Sequence, residues 1–378
     1  MRATIRVVAE VAAFGVAAVL IVCALATNQR WLDRHFLPSF LFPRDWYVRL
    51  ELCVRLSMAI AGACLVRIAP RIGRLAAHTP SGVARVSVAA VLALGVTEPA
   101  LRRMQQQPTE WLRRDEEPLR RADARLGWTL EPNRVGRATV GGRAVEYAID
   151  GAGYRVRDTG HPVDPSRPAM LFTGESVMFG EGLPWDESVP ALVEARLGTP
   201  AAVLAVHGFG TDQAYVRLAA ELPRFAHPVA VVSLFTTTLF GRNLDHRRPY
   251  LGPGLAWHEP VPEWRLQSLA RLIVPYHGDA VIDEGVEITR DVLRATAWLA
   301  RTRGAASLVV VPQFGPEDRA QRALRRRIVD ESGVPYVLVE MDPSWRLPWN
   351  RHPDARAARA MADAIGASLG AQRPKAKG

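Results

Sequence analysis

Between residues 169 and 340 the chain repeats one pattern five times: a short, continuous apolar run, then a longer segment of helical character. The runs are 169–173 (AMLFT), 202–206 (AVLAV), 229–234 (VAVVSL), 307–312 (SLVVVP) and 335–340 (PYVLVE). Helix-patterned stretches lie near 186–197, 211–223, 282–303, 316–332 and 354–370. Strands that are apolar throughout, not alternating, are buried on both faces, and strands separated by helices pair in parallel. The expectation is a three-layer α/β/α domain on a parallel five-stranded sheet, spanning 166–372. The interval 240–281 is too long for a plain crossover and is read as an insertion over one end of the sheet.

The first hundred residues obey a different rule. Residues 7–26 (VVAEVAAFGVAAVLIVCALA) are apolar apart from Glu10. At ~1.5 Å per residue such a stretch reaches ~30 Å, the thickness of a bilayer core. The triplet ALA at 24–26 also resembles a signal-peptide cleavage site. Two further apolar runs, 56–66 and 86–96, argue for a membrane region of one to three helices over residues 1–100. Arg2 and Arg6 precede the first run, and the link 67–85 is rich in arginine and free of acid. Positive charge favours the cytoplasmic side, so three spans would leave the rest of the chain outside the cytoplasm. A polar linker helix is expected over 101–125, a small β-rich lead-in over 126–165, and a tail over 373–378.

The net charge of +10 comes from arginine, since lysine occurs only at Lys375 and Lys377. The chain shows no zinc ligand set, recognition-helix pattern or aromatic-basic stripe, so nucleic acid is not expected as a partner. Cys23, Cys53 and Cys64 all fall in the first hundred residues. This leaves the rest of the chain without a disulfide framework or a cysteine metal site, and the three cysteines read as small hydrophobes. No metal or organic cofactor is expected.

Chemistry in an open parallel sheet gathers beyond the carboxyl ends of the strands. Ser176 follows the first strand in TGESVMFGEG, Gly208 follows the second in VHGFG, and His352 precedes the last helix in PWNRHPDAR. Together they can supply a nucleophile, an oxyanion donor and a general base. Singly, each has a structural reading: a helix cap, a turn glycine, a capping histidine. The α/β-hydrolase elbow G-x-S-x-G does not fit, because Met178 stands where its last glycine belongs.

Four blocks in this order resemble the SGNH (GDSL-type) hydrolase family: LFTGESVMFGEGL, VLAVHGFGTDQAYVRL, VVSLFTTTLFGRN and NRHPDARAARAMADAI. The upstream LGWTLEPN and GAGYRVRD resemble the lead-in of membrane-attached bacterial members. The resemblance implies Ser176 as nucleophile, His352 as base, and an oxyanion hole from the N–H groups of Ser176 and Gly208 with Thr238 or Asn243. It also implies an ester hydrolase or acyltransferase acting on acyl esters of a cell-envelope carbohydrate or lipid-linked substrate. Three positions depart from the family: Glu175 replaces an aspartate, Thr238 an asparagine, and Asn350 the acid before the histidine. Asn350 is read as orienting the His352 ring through its carbonyl, with Asp342 and Asp354 as other acids. Trp345 and Trp349 flank the histidine as a sugar platform or as structural residues. The departures keep a second reading open: a catalytically degenerate domain that binds glycan or a partner in envelope polysaccharide assembly.

Overall fold

The computed structural model describes residues 2–37, 39–103, 117–348 and 350–372. Trp349, the 104–116 part of the expected linker and the tail 373–378 lie outside the described residues. In chain order the elements are α1 (Arg2–Ala26), α2 (Gln29–His35), α3 (Arg44–His78), α4 (Pro80–Arg103), β1 (Arg120–Asp123), β2 (Gly127–Leu130), β3 (Arg134–Val140), β4 (Arg143–Ile149), β5 (Arg155–Val156) and β6 (Ala169–Phe172). They continue with α5 (Ser176–Phe179), α6 (Val189–Leu197), β7 (Ala201–Val203), α7 (Thr211–Glu221), β8 (Pro228–Leu234), α8 (Thr237–Asn243), β9 (Tyr250–Leu251) and β10 (Trp257–His258). The last are α9 (Arg265–Ile273), α10 (Asp279–Thr302), β11 (Ala306–Phe314), α11 (Arg319–Ile328), β12 (Tyr336–Met341) and α12 (Ala355–Gln372).

These elements fall into two compact units. One comprises residues 1–36, 43–106 and 263–276; the other comprises 37–42, 107–262 and 277–378. In the first unit, α1, α3 and α4 are each long and apolar enough to cross a membrane. The helices α1 and α3 pack through small side chains: Ala13, Ala17 and Ala24 on one, Gly62, Ala69, Gly73 and Ala76 on the other. Small residues let two backbones approach where lipid offers no hydrophobic drive for association. The arginine-rich link is not a loop: α3 runs through Arg67, Arg71 and Arg74 to His78, and only Thr79 separates it from α4. Within the same unit, the Glu98 carboxylate accepts from the backbone N–H groups of Arg265 (3.0 Å) and Leu266 (2.9 Å), satisfying donors that open α9.

In the second unit a mixed eight-stranded sheet runs in the order β12-β11-β8-β6-β7-β5-β4-β3. Its five parallel members correspond to the five apolar runs of the sequence: four agree to within two residues at each end, and β7 stops three residues short, at Val203. Numbered by their order in the chain, they lie 2-1-3-4-5, the flavodoxin-like order. Helices cover both faces. On one, α12 and α6 pack with Met170, Phe172, Val232 and Val310; on the other, α10 packs with Val309 and Val311. The fold class read from the sequence is therefore the fold found, with three strands added.

Those three strands correct the lead-in. Residues 134–156 form no separate module but continue the sheet antiparallel, joining β7 through Arg155 opposite Val203. An open β7 edge would present unpaired backbone groups, and the lead-in covers it. The linker reading is corrected as well. Residues 120–130 are a β-hairpin, with Asp123 accepting from Arg125 and Leu126 to close its turn, so the helix expected up to 125 does not extend there. The 240–281 insertion divides in two. Leu251 packs with Val216, Ile288 and Val292 on the α7–α10 layer, while 263–276 belongs to the first unit.

Candidate active site

The sheet order places Ser176 at a topological switch point. The chain leaves β6 for β7 on one side and later returns to β8 on the other, so the loops after β6 and β8 diverge and leave a crevice. Gly174 makes the turn out of β6 at φ +148°, a conformation that side-chain-bearing residues rarely adopt. Glu175 then caps a single helical turn, Ser176–Phe179, that ends at Gly180 with φ +82°.

Ser176 and His352, 176 residues apart in the chain, meet here. Ser176 Oγ lies 2.8 Å from His352 Nε2, and both residues are buried. His352 is fixed from the backbone: its carbonyl accepts from Leu347 N–H at 2.7 Å, and its N–H donates to Asn350 Oδ1 at 3.2 Å. Ser176 and His352 border a cleft of about 230 Å³ with Glu181, His207, Gly208 and Arg242; Glu117, Pro118 and Arg120 form its remaining wall.

Gly208 reaches this cleft at φ +77°, with its loop held by Trp128 Nε1 donating to His207 O at 2.8 Å. Thr238 and Asn243 do not line the cleft. Thr238 Oγ1 accepts from Phe40 N–H at 3.1 Å, tying down the 37–42 segment. Asn243 closes the start of α7: its Oδ1 accepts from Thr211 N–H at 2.9 Å, and its amide donates to the Thr211 and Thr289 hydroxyls. The Ser176 N–H donates to Glu175 Oε2 at 2.8 Å. Of the four expected donors, Gly208 alone remains available.

The residues expected to orient the His352 ring or supply its acid are engaged elsewhere. Asn350 does not orient the His352 ring, because its carbonyl is engaged by the His352 backbone N–H. Asp342 caps a turn at Ser344 N–H (2.7 Å), and Asp354 caps α12 at Arg356 and Ala357 N–H (2.9 and 3.1 Å). Trp345 packs against the Arg356 guanidinium and does not line the cleft. The carboxylate that faces His352 belongs to Glu181, whose Oε2 lies 3.5 Å from His352 Nε2 and 2.6 Å from His207 Nδ1. Burial alone would raise its pKa, but the charge and hydrogen bond of His207, with His352 and Arg242 beyond, pull it down to about 2.

A buried arginine builds the Glu181 loop. Arg155, on β5, donates to the carbonyls of Phe179 (2.5 Å), Gly180 (2.8 Å) and Leu183 (2.6 Å). Its guanidinium lies 4.9 Å from both the Tyr147 and Phe179 ring centroids. Burial lowers its pKa to about 10, still charged at neutral pH. Tyr147 Oη accepts from Gly182 N–H at 2.8 Å, so the lead-in strands hold both sides of Glu181.

Sequence reasoning missed Glu181, His207 and Arg242, although each lies inside a quoted block. The signals were an acid five residues after the serine, across one helical turn, and a histidine directly before the oxyanion glycine. Among the described residues, no group of three or more histidine, cysteine or acidic side chains is arranged to hold a metal ion.

No family model and no curated protein matches the chain. Solved structures similar to it include a Corynascus thermopiles (Myceliophthora fergusii) carbohydrate esterase family 2 enzyme with a carbohydrate binding domain. It is 16% identical over 58% of this chain and 69% of that one, with a TM-score of 0.34. A family two carbohydrate esterase from Clostridium thermocellum in complex with cellohexaose is 13% identical over 59% and 68%, with a TM-score of 0.36. A member of the lipolytic protein G-D-S-L family from Veillonella parvula DSM 2008 is 11% identical over 52% and 96%, with a TM-score of 0.32. Likeness at this level bears on neither substrate nor activity, and the fold class stands on the strand order.

Proposed function

We propose that the second unit is a serine-nucleophile esterase or acyltransferase of the SGNH type, carried by a membrane-spanning first unit. The observation that carries this reading is the 2.8 Å contact between Ser176 Oγ and His352 Nε2 at the carboxyl edge of the sheet. In the reaction, His352, protonated on Nδ1, takes the Ser176 proton at Nε2 as Oγ attacks an acyl carbon. The oxyanion is held by the Gly208 N–H and the Arg242 guanidinium. Glu181, kept ionised, stabilises the imidazolium across 3.5 Å. His352 then protonates the departing alcohol, and water or an acceptor hydroxyl releases the acyl group. The substrate class follows from the block resemblance and the membrane helices: acyl esters of a cell-envelope glycan or lipid-linked sugar. A fluorophosphonate probe should label the protein, and Ser176→Ala should abolish labelling without unfolding. A folded wild type that takes no label, with folded Glu175→Asp and Glu175→Gln equally silent, would sink the catalytic reading.

A second reading has its own support. The Ser176 N–H is already occupied by Glu175, and Thr238 and Asn243 are engaged elsewhere. A domain whose oxyanion hole is incomplete can serve as a glycan- or partner-binding module in envelope polysaccharide assembly.

The topology reading places the second unit outside the cytoplasm. Alkaline phosphatase fused after residue 125 should then be active. An inactive phosphatase fusion paired with an active cytoplasmic reporter at the same site would reverse the orientation.

A further inference from the structure

The Ser176 hydroxyl has one proton and two neighbours able to take it. One is His352 Nε2; the other is Glu175 Oε2, in direct hydrogen bond with Ser176 Oγ. The same carboxylate oxygen accepts from the Ser176 N–H at 2.8 Å and from Arg242 Nη1 at 3.1 Å, and Oε1 accepts from Val177 N–H at 3.2 Å. Donors converging on one anionic oxygen beside a nucleophile is how an oxyanion hole holds its ligand. Here the ligand is the protein's own side chain, only 3% exposed.

The histidine fits the same state. His352 Nδ1 is buried with no hydrogen-bond partner among the described residues, whereas Nε2 faces two acceptors, Ser176 Oγ and Glu181 Oε2. A neutral imidazole keeps its one proton on the nitrogen that has acceptors. The network therefore assigns an Nε2–H tautomer, with the serine hydroxyl turned toward Glu175. A base already protonated on the nitrogen facing its nucleophile cannot accept a second proton there.

We infer that Glu175 is a displaceable plug: in the resting protein its carboxylate occupies the oxyanion position and holds the Ser176 proton away from His352. The inference rests on the serine-nucleophile reading above. A substrate carbonyl oxygen displaces the carboxylate, freeing the Ser176 N–H and Arg242 to hold the developing oxyanion. The serine hydroxyl turns to His352, which exchanges its Nε2 proton for one on Nδ1 through water. The length of the side chain makes the plug possible. Glutamate is one methylene longer than the aspartate that the block resemblance leads one to expect, and the extra reach lets the carboxylate fold back over the neighbouring amide and hydroxyl.

The competing role is a plain helix cap, whose loss would lower the thermal midpoint and leave reactivity no higher. The test compares second-order fluorophosphonate labelling rates of the full-length, membrane-inserted wild type, Glu175→Asp, Glu175→Gln and Ser176→Ala. Thermal midpoints are measured alongside. Both Glu175 variants should label at Ser176 about tenfold faster than wild type or more, a barrier change of ~1.4 kcal/mol, with an equal or lower midpoint. Folded variants that label no faster than a reactive wild type overturn the plug and leave the esterase reading standing. Absence of Ser176 labelling in every protein overturns both. A measurement without any variant guards against misfolding: ¹⁵N shifts of His352 in the wild type should report Nε2–H, and an Nδ1–H tautomer overturns the plug.

Discussion

Replacing Glu181 with glutamine should slow acylation of Ser176 by about 10³-fold, less than the ~10⁴ that disabling a triad carboxylate costs in a serine protease. The smaller figure reflects geometry. A triad acid hydrogen-bonds the far ring nitrogen, whereas Glu181 faces Nε2 itself at 3.5 Å, so its contribution is mainly charge. Glutamine keeps the shape and loses that charge. Asn350→Asp should change the rate by no more than about threefold, under ~1 kcal/mol of barrier, because position 350 meets the His352 backbone and not its ring. Labelling kinetics in the two variants decide between the sites: a large Asn350→Asp gain with a silent Glu181→Gln would return the acid to position 350. Stability should follow pH with a definite sign. The folded pKa of Glu181, about 2, lies below its ordinary value of 4.5, so its stabilisation is full above about 4.5 and lost as pH falls toward 2. Acid unfolding of Glu181→Gln should lack that component.

The parts of this molecule legible in the sequence are those written as periodicity. Five unbroken apolar runs could only be strands buried on both faces, and the intervening helical stretches forced them parallel. Ser176 and His352 were legible for the same reason: each stands just outside a periodic element, at the edge where loops converge. The departures arose where a residue's role depends on reach. Thr238 and Asn243 occupy block positions, yet one is drawn to the Phe40 N–H and the other to the start of α7. The sequence carries no sign of either partner, the first nearly two hundred residues away. Glu181 was hidden differently. Its neighbours in the chain are glycines, which read as a turn, and its partners His207 and His352 come from two other strands' loops. The lead-in strands read as a separate piece because nothing local reveals that β7 would otherwise be an open edge.

Arg155 shows how such a hidden dependency can be tested. Arg155→Met should destabilise the second unit by roughly 3 kcal/mol or more, since each buried carbonyl left unpaired costs about 1–3 kcal/mol and Arg155 serves three. The effect should not stop at stability. The three carbonyls belong to Phe179, Gly180 and Leu183, which bracket Glu181, so a loop released by the substitution carries the carboxylate away from His352. Ser176 labelling of the folded fraction should fall toward the rate of Glu181→Gln and no further, because the two substitutions remove the same interaction. Arg155→Lys separates charge from geometry. An ammonium keeps a cation beside the Tyr147 and Phe179 rings but lacks the planar fork that spans three acceptors. Its stability loss should be smaller, while labelling should still drop, because holding the loop needs the fork. Denaturant midpoints measured beside labelling rates check both halves. If Arg155→Met were destabilised yet labelled at the wild-type rate, Arg155 would be a core residue only, and the lead-in strands would have no part in positioning Glu181.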